Sequence, residues 1–371
     1  MDLKTIYING KFTAQATTGV QRVAACLVAA LDNHLKHGGA GTAEHWVLLC
    51  PASALAPQLD RIAVRQLGPS WVGLHLWEQV LLPLACGDSM LLNLSGSAPA
   101  FKKRQICMVH DAAVFDTPQS YQRVFVMWYR WLFRRLARTA QLLLTVSEFS
   151  RQRLTHHLRI ASDRIALVPN GADHLSSLAA DPTILSRHGL EPGRYFVVIG
   201  SSNANKNHLA ARRAVDALEI ADVRLVIVGD DHRRVFADTA SPAAAARVIQ
   251  VGRIDDSQMK ALLQAAAGLV FPSRYEGFGL PPLEAMSCRC PVIASNAAAV
   301  PEVCGDAAIY VGPTDVDAIA AAMRRLLLEP ELRDDLAERG ACRAAALTWA
   351  ASAEALVARL ASLGAVEPAR P

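Results

Sequence analysis

The chain has 371 residues, 52% hydrophobic and 19% charged, a composition that excludes a disordered or fibrous protein and suits two globular domains. No apolar run approaches the roughly 18 residues of a membrane-spanning helix, and the eight cysteines show neither Cys-x-x-Cys nor zinc-type spacing, so they read as reduced core thiols. The net charge of +4 is too modest to call for a nucleic-acid partner, but it is uneven: residues 1–178 hold 18 Lys and Arg against 11 Asp and Glu, and residues 179–371 hold 20 against 23, so the first half suits an anionic partner.

Met1-Asp2-Leu3-Lys4 leads straight into an apolar strand pattern without a signal-peptide stretch, and a cytoplasmic location is expected. Short runs rich in Val, Ile and Leu then alternate with helical patterns, as in a doubly wound parallel α/β sheet. The first half predicts strands at Lys4–Ile8, His45–Cys50, Arg61–Arg65, Ser89–Leu92, Gln105–Val109 and Leu142–Val146, with helices at Val20–Leu35, His75–Leu84, Tyr121–Ala137 and Glu148–His157. The pattern loosens over residues 170–193, which carry Asn170-Gly171, Asp181-Pro182 and Glu191-Pro192-Gly193, a candidate linker.

Alternation restarts with strands at Tyr195–Ile199, Arg224–Val228, Ala246–Val251, Gly268–Phe271, Val292–Ala294 and Ala308–Val311. Two Rossmann-like domains are therefore expected, residues 1–178 and 179–345, with ligands at the carboxyl ends of the strands. Residues 346–371 form a last amphipathic helix, Trp349–Leu363, expected to cross back to the first domain.

The most informative stretch is RYEGFGLPPLEAM, residues 274–286, which follows the apolar strand Gly268–Phe271. Pro281-Pro282 suits the first turn of a helix, where a missing N–H costs little. Gly277-Phe278-Gly279 lets the backbone approach a ligand, and the helix start attracts phosphate oxygens. Glu284, inside the helix, can accept two hydrogen bonds from a vicinal diol such as ribose, and Glu276 on the turn is left for a transferred group. Either acid alone would be explained as a partner of the helix dipole. The combination with two glycines and two prolines is not.

Glu-x7-Glu within EGFGLPPLEAM, followed by Cys290-Pro291-Val292-Ile293-Ala294-Ser295 and Pro301-Glu302-Val303, resembles the signature of the retaining family-4 glycosyltransferases. The resemblance extends over nearly the whole chain. It implies the GT-B architecture, two Rossmann-like doubly wound parallel-sheet domains facing a cleft. It also implies roles: Glu284 holds the ribose, Glu276 contacts donor-sugar hydroxyls, and the amides of Gly277, Phe278, Gly279 and Leu280 meet sugar and diphosphate.

In Ser201-Ser202-Asn203-Ala204-Asn205-Lys206, Lys206 opens a helix where a point cation could neutralise a diphosphate. The family resembles this in its lysine. Many members also carry an arginine where this chain has Ser201, so the usual Arg/Lys clamp is incomplete here. Arg253 is a candidate substitute, with a solvated surface arginine as the equal alternative.

Thr17-Thr18-Gly19-Val20-Gln21-Arg22 occupies the position of a first βα phosphate loop, but its single glycine excludes a G-x-G-x-x-G fingerprint. In the resembling family this loop faces the donor, implicating Gly19 and Arg22. His110, in Val109-His110-Asp111 at a strand end, is where members have a His or His-Asp, and it could orient a sugar hydroxyl. Ser147 is better explained as an N-cap than as a catalyst. Asp315-Val316-Asp317, Asp230-Asp231 and Asp255-Asp256 stand at strand ends or helix starts without His or Cys company, so no metal is assigned.

Tyr121–Ala137 carries Trp128, Tyr129, Trp131 and Phe133, with Arg130 and Arg134 and then Arg138 following at helical spacing. Such a helix could touch the inner membrane peripherally; one core face plus a solvated arginine stripe is the competing account.

The expected function is transfer of a hexose from a sugar nucleotide, with mannose from GDP-mannose favoured because the chain is similar to bacterial polysaccharide mannosyltransferases, to a glycan or lipid-linked glycan acceptor, without cofactor or metal. The catalytic candidates are His110, Glu276 and Lys206. The alternatives are a UDP- or dTDP-sugar transferase, a GT-B-like sugar-nucleotide epimerase, a glycoside hydrolase using Glu276 and Glu284, and a non-catalytic sugar-nucleotide-binding module.

Overall fold

The computed structural model describes residues 5–40, 44–201, 203–220, 222–229 and 247–366. Asp230-Asp231 and the expected strand start at Ala246 lie outside them. The chain divides into two compact units, Met1–Asn170 with Trp349–Pro371, and Gly171–Thr348.

The first unit holds a seven-stranded parallel sheet: β1 Thr5–Asn9, β2 His45–Pro51, β3 Ala63–Leu67, β4 Met90–Asn93, β5 Gln105–Met108, β6 Leu142–Thr145 and β7 Ile165–Leu167, in the order β3-β2-β1-β4-β5-β6-β7. Ile6 of β1 pairs with Trp46 on one side and Met90 on the other. β4, β5 and β6 are buried along their whole length, as strands covered on both faces must be.

The second unit repeats the plan with β8 Tyr195–Ile199, β9 Arg224–Val228, β10 Val248–Gly252, β11 Gly268–Phe271, β12 Val292–Ser295 and β13 Ala308–Val311, ordered β10-β9-β8-β11-β12-β13. Helices His208–Asp216 and Val316–Leu328 bury Ala211, Val215, Ile319 and Met323 against Phe196, Val198 and Ile227 of the sheet. In each sheet the strand order reverses beside its first strand, between β1 and β4 and between β8 and β11. Those reversals open a crevice at the carboxyl ends of the strands.

Four local differences from the sequence reading have physical causes. β3 begins at Ala63 rather than Arg61, because the buried carboxylate of Asp32 accepts the N–H groups of Asp60, Arg61 and Ile62 at 2.9, 2.8 and 2.8 Å and withholds them from the sheet. β7 was not anticipated; it is a three-residue edge strand, too short to show a period.

The helix expected at His75–Leu84 contains a π turn, Trp77–Leu81, before Pro83, whose missing N–H interrupts the ordinary ladder. The first unit ends at Asn170, before the expected 178. Residues beyond it are held by the second unit: Ala172 N–H donates to Leu347 O at 3.3 Å, and Lys260 Nζ to the carbonyls of Ser176 and Leu178 at 2.9 and 2.8 Å. Helix Trp349–Ser362 belongs to the first unit, where it packs along Gly19–Lys36.

Candidate active site

In the second unit, the loops that follow β8 and β11 leave from adjacent strands at the order reversal, so residues far apart in sequence become neighbours. The loop after β8 is shaped by two asparagines. Asn203 accepts the N–H of Asn205 at 2.9 Å, and Asn207, in the left-handed region at φ 52°, donates to the carbonyls of Pro272, at 3.3 Å, and Pro313. Arg274 N–H donates to Asn205 O at 2.8 Å, which completes the tie to the loop after β11.

Lys206 is thereby held against Glu276, and its Nζ donates to both carboxylate oxygens at 2.8 and 3.0 Å. The Lys206 chain crosses Gly200, where a Cβ would sit 3.3 Å from its Cγ and Cδ, and where φ of +149° already disfavours any side chain. An ammonium has three N–H bonds, so one remains for a further acceptor beside Glu276.

Gly279, at φ +109°, turns the chain into helix Leu280–Ser287, which carries prolines in its first turn. Phe278 and Leu280 are buried. Glu284 is also buried, and its Oε1 accepts a hydrogen bond from His174 Nε2 at 3.1 Å. The two acids of the motif therefore have different partners, a lysine for Glu276 and a histidine for Glu284.

Ser201 is exposed immediately after Gly200. Arg253 is exposed after the edge strand β10, with β9 lying between that strand and β8. The sheet order thus does not set Arg253 on a strand adjacent to either Lys206 or Glu276. Asp315 and Asp255 are helix caps, accepting the N–H of Ala318 at 3.0 Å and of Gln258 at 2.9 Å. Among the described residues no cluster of His, Cys, Asp or Glu suited to a metal is present.

In the first unit, Gly19 begins helix Gly19–Lys36, and open space lies where its Cβ would be. Arg22 is half-buried one turn on, its N–H donating to Thr18 O at 2.9 Å. His110 follows β5, and Gly96 lies between it and Val20, 3.5 and 3.6 Å from them at its would-be Cβ. The carbonyl of Leu94 accepts from His110 Nε2 at 2.9 Å, which places the proton on Nε2 and leaves Nδ1 as an acceptor. Burial pushes the imidazole down to about 4, only partly opposed by the Leu94 bond, so it is neutral near pH 7.

Residues 182–343 match the glycosyl transferases group 1 family, and residues 55–174 match glycosyltransferase family 4. The chain is 30% identical over 258 residues to O-antigen chain mannosyltransferase B of Escherichia coli, covering 67% of this chain and 67% of that protein. The chain belongs to the family-4, group 1 glycosyltransferases.

It is also 24% identical over 264 residues to the O-antigen chain mannosyltransferase RfbU of Salmonella typhimurium, across 70% of this chain and 71% of the relative. Among solved structures, sucrose-phosphate synthase from Thermosynechococcus elongatus is similar with a TM-score of 0.75 at 20% identity, covering 98% of this chain and 99% of that one. The two parallel-sheet units of this glycosyltransferase have the GT-B fold.

Sequence reasoning missed two groups in this glycosyltransferase. His174 lay in a stretch read as linker, and nothing local pairs it with Glu284, 110 residues away. The second is a buried network after β1 and β4: Lys11 Nζ donates to Glu78 Oε2 at 2.8 Å, Ser97 Oγ to Glu78 Oε1 at 2.6 Å, and Asn9 Nδ2 to Glu78 and Asn93 at 3.1 and 3.0 Å. A single acid in an apolar helix, Leu74-His75-Leu76-Trp77-Glu78, was the available signal.

Proposed function

We propose that this glycosyltransferase is a retaining hexosyltransferase that moves mannose from GDP-mannose to a glycan or lipid-linked glycan acceptor in bacterial surface-polysaccharide synthesis. The Lys206–Glu276 pair at the β8/β11 reversal, beside the Gly279-started helix, carries this reading. It sets a cation for the diphosphate next to an acceptor for sugar hydroxyls. Mannose and the polysaccharide context are supported by the names of the two O-antigen relatives.

In this reading the amides of Gly277 to Leu280 and Lys206 Nζ hold the diphosphate, Glu276 holds hydroxyls of the donor sugar, and Glu284, oriented by His174, accepts from the ribose diol. The bond from the anomeric carbon to the phosphate oxygen breaks, and the electron pair leaves with the diphosphate. The acceptor hydroxyl oxygen forms the new bond on the same face, and its proton passes to the departing phosphate. Lys206 and the helix start stabilise the charge that grows on the leaving group. No metal is required in this scheme, because Lys206 supplies the positive charge and Asp315 is engaged in capping.

In the first unit, neutral His110 offers Nδ1 to a sugar hydroxyl, and Gly19 and Arg22 are that unit's candidates for donor contact. The location that fits a lipid-linked acceptor is the cytoplasmic face of the inner membrane, touched through Tyr121–Ala137.

The test is incubation with radiolabelled GDP-mannose, UDP-glucose and dTDP-glucose in separate reactions with acceptor glycan, followed by product analysis. Label from GDP-mannose in an α-linked glycan is the expected result. Exclusive transfer from a UDP- or dTDP-sugar would correct the donor, an isomerised donor would mean an epimerase, and hydrolysis of the glycan would mean a hydrolase. Unchanged donor with retained binding would mean a binding module.

A further inference from the structure

The basic aromatic helix Arg123–Thr139 has more than one apolar side. Val126, Leu132, Phe133 and Leu136 are in the core, yet Val124 and Met127 are 78% and 72% exposed, and Trp131 follows them on the same outer stripe. Arg130 and Arg134 are not simply solvated; both lie over the Phe115 ring, at 5.7 and 5.5 Å, and Arg130 donates to Val114 O at 2.8 Å.

A second stripe stands beside the first. On residues 74–86, Trp77, Glu78, Leu82 and Cys86 are buried, whereas Leu76, Val80 and Leu84 point outward at a four-residue spacing, and Trp71 just before them is 82% exposed. The two stripes are joined. His75 packs edge-on against Trp128 at 4.7 Å, Phe101, itself 72% exposed, approaches Trp131 at 6.3 Å, and Gln79 Nε2 donates to Ala98 O at 3.0 Å.

Nine of the thirteen exposed large apolar side chains among the described residues lie between positions 71 and 131. Isolated exposed leucines need no explanation, but a connected apolar field does.

Its border is cationic. A groove along the helix is lined by Met127, Arg130, Trp131, Arg134, Arg135 and Arg138, mixing apolar floor with guanidinium groups. Between residues 89 and 139 the only acids are Asp111 and Asp116. Asp111 accepts the N–H of Ala113 at 2.8 Å, and Asp116 pairs with Arg153 and His157. An apolar, aromatic field bordered along Arg123–Thr139 by arginines complements an anionic lipid surface.

We propose that residues 71–84, Phe101 and the outer stripe of Arg123–Thr139 form one composite face that docks on an anionic bilayer, the apolar side chains entering the headgroup boundary and Arg134 and Arg138 meeting lipid phosphates. The face extends the membrane contact proposed for Tyr121–Ala137 and rests on that reading. Its new content is the first stripe, Leu76, Val80 and Leu84, which shares the insertion. No helix of the described residues is long and apolar enough to cross a membrane, and a face of this kind needs none.

The experiment is co-sedimentation of the full chain with vesicles of phosphatidylglycerol mixed into phosphatidylcholine, and with phosphatidylcholine alone, with no sugar nucleotide present. The wild type should partition about tenfold more strongly onto the anionic vesicles, and added salt should weaken it. Leu76→Glu with Leu84→Glu should lower partitioning about tenfold, as should Arg134→Glu with Arg138→Glu, while thermal melting and transfer to a water-soluble acceptor stay at wild-type values.

Equal binding to both vesicle types, or a Leu76/Leu84 variant that partitions like wild type, would overturn the composite face. So would sedimentation velocity showing a dimer that those substitutions dissociate, since the face would then join two copies. Because the assay involves no donor, its failure leaves the transferase reading standing, and failure of transfer leaves the vesicle result standing.

Discussion

The two sheets share one topology and differ in the chemistry at the carboxyl ends of their strands. At the second sheet's reversal the acids are partnered, Glu276 with the Lys206 ammonium and Glu284 with His174. At the first sheet's reversal, the buried charge of Glu78 is consumed by Lys11 and Ser97, and beside it stand a histidine that burial keeps uncharged and a glycine with open space above it. Topology alone therefore sets where a ligand can sit, and the side chains set what kind. In the proposed function the diphosphate goes with the Lys206–Glu276 pair, and a sugar hydroxyl with neutral His110.

The largest expected effect breaks the charged side of this contrast. Glu276→Ala should lower kcat about 100- to 1000-fold while GDP affinity changes by no more than about threefold, measured by steady-state transfer and calorimetric titration. Glu284→Ala should act the other way, raising the GDP dissociation constant about 10- to 100-fold with a smaller change in kcat. His174→Ala should reproduce a weaker form of that loss, about fivefold, because the carboxylate remains but is no longer oriented. A Glu284→Ala variant with wild-type GDP affinity would remove the ribose assignment.

The two first-loop glycines sharpen the comparison through stability. Gly200→Ala forces a side chain into a φ of +149° and against Lys206, and should cost about 1–3 kcal/mol in denaturant unfolding and displace the lysine. Gly19→Ala enters open space in a helix and should change stability by less than about 0.5 kcal/mol. Loss of activity in that variant would report on ligand approach, not on the backbone.

The neutral side is tested by pH. The His110 imidazole is depressed from 6.5 to about 4 in the folded chain, so between those values the unfolded chain binds more protons. Stability is full above the unfolded value and declines as pH falls toward the folded one, by about 1 kcal/mol at about pH 5.5. His110→Asn should flatten that decline in melts recorded across the range. A wild-type melting temperature that does not respond differently from the variant would contradict the burial of a neutral ring.

Much of this was legible in the linear chain. The strands Tyr195–Ile199, Arg224–Val228, Gly268–Phe271 and Ala308–Val311 stand where the apolar runs predicted them, because each is short, β-branched and bounded by turn residues. The 274–286 stretch announced its turn and helix through its glycines and prolines, whose backbone preferences are local. β7 was too short to register, and the start of β3 was moved by Asp32, a helix residue some thirty positions upstream that captures three backbone amides.

What the sequence determined by itself was the element order, the two repeated α/β units and the kind of loop between β11 and its helix, since periodicity and turn chemistry act over a few residues. What only the tertiary structure decided was partnership. Lys206 meets Glu276 across 70 residues and His174 meets Glu284 across 110, and the outer stripes of 74–86 and 123–139 join into one surface. Sheet order makes such neighbours, and sheet order is set by burial summed over a whole unit, which no short window of sequence contains.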